Sequence, residues 1–179
     1  MTTDLDGTGD RGAVRLRSLE LRDFRNLERI DLEVPADGIV VVGDNGHGKT
    51  NLLEAIYYLQ TFRSVRGARD QDVVRFGADG FFVSATVEQP HGAGTSRSRE
   101  IAVGYERATR NKRVRLDGQI VERLGSAVGT LSAAMFSPAD VELVAGGPPA
   151  RRRYLDIVLS LTVPGYLDAL QRYLSLIHI

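Results

Sequence analysis

The stretch GDNGHGKT, residues 43–50, most constrains the fold of this chain, because it has the spacing G-x-x-x-x-G-K-[ST] of a phosphate-binding loop. Its glycines allow a tight turn in which backbone N–H groups point at phosphate oxygens. Lys49 supplies a charge for the β- and γ-phosphates, and the Thr50 hydroxyl suits a phosphate-bound Mg²⁺. The predicted nucleoside triphosphate site consists of Gly43, Asp44, Asn45, Gly46, His47, Gly48, Lys49 and Thr50.

The residues on either side of the loop support this prediction. The run IVVV, residues 39–42, is typical of a strand that is covered on both faces. After the loop, Leu52, Leu53, Ile56 and Leu59 recur at helical spacing, so we expect a helix that packs these side chains on a sheet. A strand, a glycine-rich turn and a helix are the context that a phosphate-binding loop needs.

Apolar alternation with a period of two predicts further strands. Segments 14–21 and 29–34 are interpreted as paired antiparallel strands, residues 81–121 as a β-rich section inserted after the first helix, and LSAAMF, 131–136, as another strand. Two helices are predicted near the C-terminus, each with a proline near its start. We therefore predict an α/β P-loop NTPase with a mixed sheet, a nucleotide-binding lobe at 14–148 and the start of a helical region at 149–179.

The composition excludes several classes of protein. The chain has no cysteine, which excludes a disulfide framework and a thiolate metal site, and no apolar run approaches the roughly 20 residues of a membrane span. Residues 1–13 lack the apolar segment of a signal peptide and predict a disordered tail. A cytoplasmic location is therefore expected, while the net charge of +0 favours no class of partner.

The acidic half of a hydrolytic site is not found in the sequence. P-loop enzymes need an acidic residue that helps to hold the metal ion, and no apolar strand ending in Asp or Glu is recognised after Thr50. The N-K-x-D motif of a GTPase is also unmatched, because Val114 stands where the aspartate belongs in NKRV. We expect no catalytic residue and no complete hydrolytic site in these 179 residues.

Four segments, in order, resemble the N-terminal part of the RecF family of bacterial DNA replication and repair proteins. They are LRSLELRDFRNLERIDLEV, GDNGHGKTNLLEAIYYL, FRSVR and FSPADVELVAGGPPARRRYLD, and the resemblance runs from about Val14 to Tyr173. The family is related to the heads of Rad50 and SMC proteins. The resemblance therefore implies an ABC-type ATPase head lobe.

That resemblance assigns roles to particular residues. It implies that Gly43–Thr50 bind ATP with Mg²⁺, and that Arg25 and Asn26 lie near the nucleotide. The family usually has an acidic residue at the position of Ala139, so any such role falls to Asp140. RecF proteins are also about twice as long, with the ABC signature and acidic Walker B residues in their second half. We therefore expect a truncated piece of a longer protein, whose C-terminal half is missing.

The function implied by the resemblance is that of an ATP-dependent DNA-binding protein of replication and recombinational repair. The implied activities are binding of single-strand/double-strand DNA junctions, help in loading RecA at gaps with RecO and RecR, and a link to the SOS response. The full-length form is expected to be an ATPase that forms an ATP-dependent homodimer. Two alternatives stay open: a small P-loop kinase in which RRRY, 151–154, is a phosphate-binding lid, and a non-functional fragment of the ATPase.

Basic residues in two segments are candidates for contacts with DNA phosphates. One segment lies on a predicted β-hairpin, where a solvated surface is the alternative, and the other lies in FRSVR, nearer the predicted ATP site. A third group, Arg151–Arg153, opens a helix where cations oppose the helix dipole, which favours ion pairing or DNA contact. The DNA candidates of the first two segments are Arg110, Lys112, Arg113 and Arg115, with Arg63 and Arg66.

Overall fold

An antiparallel sheet of six strands organises the part of the chain that the computed structural model describes, residues 14–91, 95–136, 140–163 and 165–177. The strands are β1 (Arg15–Phe24), β2 (Leu27–Glu33), β3 (Gly80–Pro90), β4 (Ser96–Glu106), β5 (Asn111–Leu116) and β6 (Gln119–Ile120). The α-helices are α1 (Lys49–Thr61), α2 (Asp70–Val73), α3 (Val141–Ala145), α4 (Pro148–Thr162) and α5 (Tyr166–Ile177).

The strands follow the order β2-β1-β3-β4-β5-β6, so the predicted β-rich section is continuous with the first two strands and not a separate insertion. The predicted pairing of the first two strands is confirmed, and β1 also pairs with β3. The latter register shifts between Leu16 and Ser18, which is where the apolar alternation of the sequence slips. The α/β fold of an ATPase head is confirmed, although the described sheet is antiparallel throughout and not mixed.

Helix α1 packs on one face of the sheet and forms the core with it. Apolar side chains of β1, β3, β4 and β5 cover this face, which we call the inner face, and α1 contributes Leu52, Ala55, Tyr58 and Leu59. The predicted apolar stripe is correct for Leu52 and Leu59, and Ile56 packs against the core while partly buried. It is wrong for Leu53, which is 49% exposed because the buried face of the helix is turned toward Ala55 and Tyr58.

Two predicted strands are not formed. Residues 39–42 have no strand assignment, and Val40 and Val42 are 88% and 84% exposed. Residues 131–136 have none either, and Phe136 is 89% exposed. A strand requires a neighbour that satisfies its backbone N–H and C=O groups, and no described strand pairs with either segment.

The two predicted C-terminal helices are confirmed as α4 and α5. Prolines occupy the first turn of α4, where a missing backbone N–H costs no helical hydrogen bond. Ala139 lies outside the described residues, and the role that the resemblance leaves to Asp140 stays a prediction. In the described part of the chain, no helix is both long and apolar enough to cross a lipid bilayer.

Candidate nucleotide-binding site

The loop of residues 43–48 ends at the N-terminus of α1, whose first helical residue is Lys49. Most of the loop is exposed, whereas Gly48 is buried. The first backbone N–H groups of any helix lack partners inside the helix, and the helix dipole makes this end positive. The predicted order of loop and helix is confirmed, and it places a backbone that is suited to binding anions at the surface.

Gly48 lets the loop approach the turn between β1 and β2. It has a φ of 96°, and a Cβ atom built on it lies 2.5 Å from Leu27 Cδ2 and 2.8 Å from Asn26 Oδ1. Residues with a side chain rarely adopt this φ, and the Cβ atom of such a residue would displace the side chains of Leu27 and Asn26. Glycine at position 48 therefore serves both the turn of the loop and its contact with the strands.

Asn26 connects the loop with the helix. Its Nδ2 donates a hydrogen bond to the Gly46 carbonyl oxygen at 2.8 Å, and its Oδ1 accepts one from Asn51 Nδ2 at 2.8 Å. The short turn between β1 and β2 presents Asn26 to both segments. The predicted proximity of Asn26 to the nucleotide remains a prediction, but the side chain does contact the loop that would hold it.

Lys49 folds back over the loop. Its Nζ donates hydrogen bonds to the carbonyl oxygens of Gly43 and Asp44 at 2.6 and 2.8 Å. The ammonium group has a flexible stem and three donors, so it is able to exchange these carbonyls for phosphate oxygens. This arrangement keeps the charge at the loop, where the chemistry of triphosphate binding requires it.

The loop offers few ligands for Mg²⁺. Thr50 supplies a hydroxyl oxygen at the start of α1, and Mg²⁺ at phosphate sites usually takes one or two protein ligands with phosphate oxygens and waters. No group of three or more His, Asp or Glu side chains that could hold a metal occurs among the described residues. The residues present therefore fit a Mg²⁺ ion that arrives with the nucleotide and is held mainly by its phosphates.

Arg25 is directed away from the loop and pairs with a buried carboxylate. Its Nε and Nη2 donate to the two carboxylate oxygens of Glu54 at 3.1 and 2.7 Å, and Ser64 Oγ donates to the same carboxylate at 2.6 Å. Arg66 Nε lies 3.6 Å from Glu54 Oε2. Glu54 is 0% exposed, so two of the predicted ligand-binding arginines surround one buried negative charge.

The ionisation of Glu54 is determined by this cluster. Burial alone raises the pKa of a carboxyl group, but hydrogen bonds from Arg25 and Ser64 and the charges of Arg25 and Arg66 hold the pKa of Glu54 below its ordinary value. Arg25 Nη1 also donates to the Asp72 carbonyl oxygen at 3.0 Å. The Glu54 cluster therefore joins the β1–β2 turn, α1 and the segments on both sides of residue 70.

Lys112 belongs to a second partly buried network. Its Nζ forms an ion pair with Asp70 at 2.9 Å and donates to the Phe62 carbonyl oxygen at 2.9 Å. The hydroxyl of Tyr58 donates a short hydrogen bond to Asp70, and burial followed by this bond raises the pKa of Tyr58. These contacts fasten β5 to the C-terminal end of α1, on the inner side of the sheet.

The remaining predicted DNA contacts are divided among three places. Arg63 is exposed just beyond the C-terminal end of α1, and Arg110 is exposed in the turn between β4 and β5. Arg113 and Arg115 are exposed on the opposite sheet face from Lys112, because side chains alternate along a strand. Sequence reasoning missed Glu54, Asp70 and Asn51, whose partners lie far away along the chain.

Comparison with known proteins identifies a matching family model and several similar proteins. The model of the RecF/RecN/SMC N-terminal domain family matches residues 15–140. The chain is 38% identical over 164 residues to the DNA replication and repair protein RecF of Geobacter sp. (strain M21), covering 92% of this chain and 43% of that protein. RecF of Myxococcus xanthus (strain DK1622) is 39% identical over 160 residues, with 89% and 40% covered.

Solved structures agree with these sequences. A structure of the recombination mediator protein RecF-ATP in the RecFOR pathway superposes with a TM-score of 0.80 at 32% identity, covering 90% of this chain and 43% of that one. A second structure, RecF-ATPrS, gives a TM-score of 0.79 at 30% identity. The chain thus spans about two fifths of the length of the relatives that it matches, and the resemblance predicted from its motifs is confirmed.

Proposed function

The chain belongs to the RecF/RecN/SMC N-terminal domain family, and we propose that it is the ATP-binding lobe of a DNA-binding protein of replication and recombinational repair. The observation that carries the proposal is the loop of residues 43–48, which leads into α1 and is held by Asn26 at its Gly46 carbonyl oxygen. Relatives that share this part of the chain are described as replication and repair proteins, and one of their structures as RecF-ATP.

In this proposal ATP binds by its phosphates. Backbone N–H groups of the loop and the N-terminus of α1 surround the phosphate oxygens, and Lys49 exchanges the carbonyls of Gly43 and Asp44 for the β- and γ-phosphates. Thr50 supplies one oxygen to the Mg²⁺ that accompanies the nucleotide. Asn26 keeps the loop against the β1–β2 turn, so nucleotide binding requires little reorganisation of the protein.

The finer activities belong to a full-length form. There we propose ATP-dependent homodimerisation, binding of single-strand/double-strand DNA junctions, and help in loading RecA at gaps together with RecO and RecR. We also propose a link to the SOS response and a cytoplasmic location. The support is the similarity to RecF proteins over 92% of this chain. Hydrolysis by that dimer requires acidic residues beyond the Gly43–Thr50 loop, so we expect this chain to bind ATP without turning it over.

The kinase alternative has less support. A small kinase would need an acceptor pocket in place of the β-rich section, whereas β3, β4, β5 and β6 continue the sheet that begins with β2 and β1. The RRRY segment lies in the first turns of α4 and is exposed. The described structure gives these arginines no loop geometry resembling that of a lid.

A pair of loop variants tests the proposal. Binding of a fluorescent, non-hydrolysable ATP analogue with Mg²⁺ is measured for the wild type, Lys49→Ala and His47→Ala. We expect Lys49→Ala to abolish saturable binding, because the phosphates lose their cation. His47→Ala should bind nearly as the wild type does, because an exposed side chain is removed and the backbone N–H is kept. Equal affinity of all three proteins contradicts the proposal.

A further inference from the structure

A groove crosses the outer face of the sheet, opposite the face that packs on α1. It has a volume of about 550 Å³ and takes its floor from β3 and β4. Small residues at the strand centres, Ala102 and Gly104, leave the groove open above the backbone, and the half-buried side chain of Phe82 lies beside them. The nucleotide-binding loop is not part of its lining.

The register of the strands lines up three arginines and one aromatic ring across this face. Arg22 is opposite Arg29 on one side and Phe82 on the other, Phe82 is opposite Gly104, and Gly104 is opposite Arg113. Neighbouring strands are about 4.8 Å apart, so this row extends about 19 Å across five strands. No other class of side chain interrupts the row.

Phe82 and Gly104 form a surface on which a planar group can rest. A Cβ atom built on Gly104 would lie 3.9 Å from Phe82 Cδ2, so the ring extends over the position where another residue would carry its side chain. Aromatic rings at such positions cover the glycine of the neighbouring strand. They also offer a π-face on which a nucleobase stacks.

Arg113 and Arg115 give the groove one basic end. Among the described residues, neither forms a hydrogen bond or an ion pair through its side chain, and both are exposed. Arg22 is paired with Glu20 at 2.7 Å, but both side chains are exposed enough for an incoming phosphate to compete. The guanidinium groups of Arg113 and Arg115 are thus free to form paired hydrogen bonds with phosphate.

Acidic side chains lie where β4 ends and β3 begins, next to Glu106 and Gly80. Asp79 and Glu106 lie there, and Asp23 lies beside them in an ion pair with Arg75 at 2.6 Å. The groove is lined by as many arginines as carboxylates, but the two kinds of charge lie in different parts of it. Along β5, Arg115 is opposite Ala102 and lies farther from Glu106 than Arg113 does, so a polyanion crossing Phe82 is directed toward Arg115 and away from Asp79 and Glu106.

We infer that this groove binds a single-stranded nucleic acid segment, with a base stacked on Phe82 and phosphates on Arg113 and Arg115; the inference rests on the proposed DNA-binding function. A duplex keeps its base faces stacked inside and meets such a surface with phosphates alone, so it makes no use of Phe82. A single strand exposes base faces and phosphates together. The sheet face therefore has the two groups that recognise an unpaired strand.

The test measures the fluorescence anisotropy of a labelled oligothymidylate of about 12 nucleotides. The same strand annealed to its complementary DNA strand is the duplex for comparison. We expect Phe82→Leu to weaken single-strand binding about tenfold without changing its salt dependence, and Phe82→Tyr to preserve it. The double variant Arg113→Gln/Arg115→Gln should lower the slope of log K against log salt by about 1.4, since each lost phosphate contact removes about 0.7. Arg69→Gln/Arg123→Gln is the charge-matched control away from the groove and should leave the slope nearly unchanged.

Each result has a defined meaning. Single-strand binding that is insensitive to the Phe82 and Arg113/Arg115 changes overturns the inference, while the proposed function stands. An equal loss of duplex and single-strand binding in Phe82→Leu also overturns it, because base stacking then makes no difference. If the wild type binds neither DNA, the inference and the DNA-binding part of the proposed function fail together, and analogue binding by Lys49 decides the ATP part. Urea unfolding midpoints identify any variant that fails to fold, and the arginine pair carries the test in that case.

Discussion

Arg25 and Glu54 form a two-point ion pair across 29 residues of sequence, with donor–acceptor distances of 3.1 and 2.7 Å. Arg25 immediately precedes Asn26, whose side chain holds the nucleotide-binding loop at Gly46. Glu54 lies on α1, the helix that begins at the end of that loop. The pair therefore holds the β1–β2 turn and helix α1 together, and the loop contacts the turn and leads into the helix.

Replacing Glu54 with Gln is expected to destabilise the protein by about 3 kcal/mol, because the partly buried Arg25 charge loses its buried partner. Urea unfolding followed by circular dichroism measures the change. Glu20→Gln is the matched control: it removes one carboxylate from the exposed Arg22 pair, and we expect a change of about 0.5 kcal/mol or less. If the two variants lose the same unfolding free energy, burial of the Glu54 pair does not contribute to stability.

The same pair gives stability a dependence on pH. The pKa of Glu54 is lowered in the folded protein, so its contribution is complete above the ordinary value of 4.5 and is lost as pH falls through the lower folded value. The difference in unfolding free energy between the wild type and Glu54→Gln should therefore be constant from neutral pH to about pH 5 and shrink below it. A difference that stays constant down to pH 3 excludes titration of Glu54 as the cause.

Gly48→Ala should impair both folding and ATP-analogue binding. The new Cβ atom meets Leu27 Cδ2 at 2.5 Å and Asn26 Oδ1 at 2.8 Å, so these side chains must move and the hydrogen bond from Asn26 to the loop is disturbed, at a cost of about 1–3 kcal/mol. Gly38→Ala is the control with a similar φ, 85°, and nothing within 4 Å of the added atom. It should cost about 1 kcal/mol from backbone strain and leave the affinity for the analogue unchanged. Similar affinities in both variants would argue against the Gly48 contact.

Lys112 and its neighbour Arg113 should differ in their effect on stability. Lys112→Gln leaves Asp70 without its cation, and we expect a loss of about 1–3 kcal/mol. Arg113→Gln changes an exposed side chain and should remain within about 0.5 kcal/mol of the wild type. Thermal unfolding of the two variants is the measurement. The reverse order of stability would mean that the β5 alternation is inverted.

The turn and the helix start at residues 43–50 were predictable because the information for them is local. Glycines, lysine and threonine at fixed spacing specify a backbone turn and a helix start within eight residues, Gly43–Thr50. The partners of Glu54 and Lys112 were not predictable in this way. The ion pairs Arg25–Glu54 and Lys112–Asp70 each join residues that are at least 29 positions apart, and a charged side chain in an amphipathic helix or strand is ordinarily interpreted as solvent-exposed.

The strands show the same division between local and nonlocal information. Alternation in segments 14–21, 29–34 and 81–121 predicted the strands of the sheet, and each of these strands pairs with another strand of the same segments. The run at 39–42 has equal β-propensity and forms no strand, since propensity does not provide a neighbouring backbone. The composition of residues 39–42 indicates a preference for the extended conformation, but it does not indicate whether a partner strand lies beside them.

The exposed segment at residues 39–42 also affects how the protein behaves in storage. Four consecutive β-branched side chains on unpaired backbone form a template that a second copy can extend by hydrogen bonding. Purified material is therefore expected to lose soluble protein at a rate that rises steeply with concentration, even while the Glu54 and Asp70 networks remain intact. Val40→Lys or Val42→Lys should slow this loss of soluble protein, because the added charges repel a second copy.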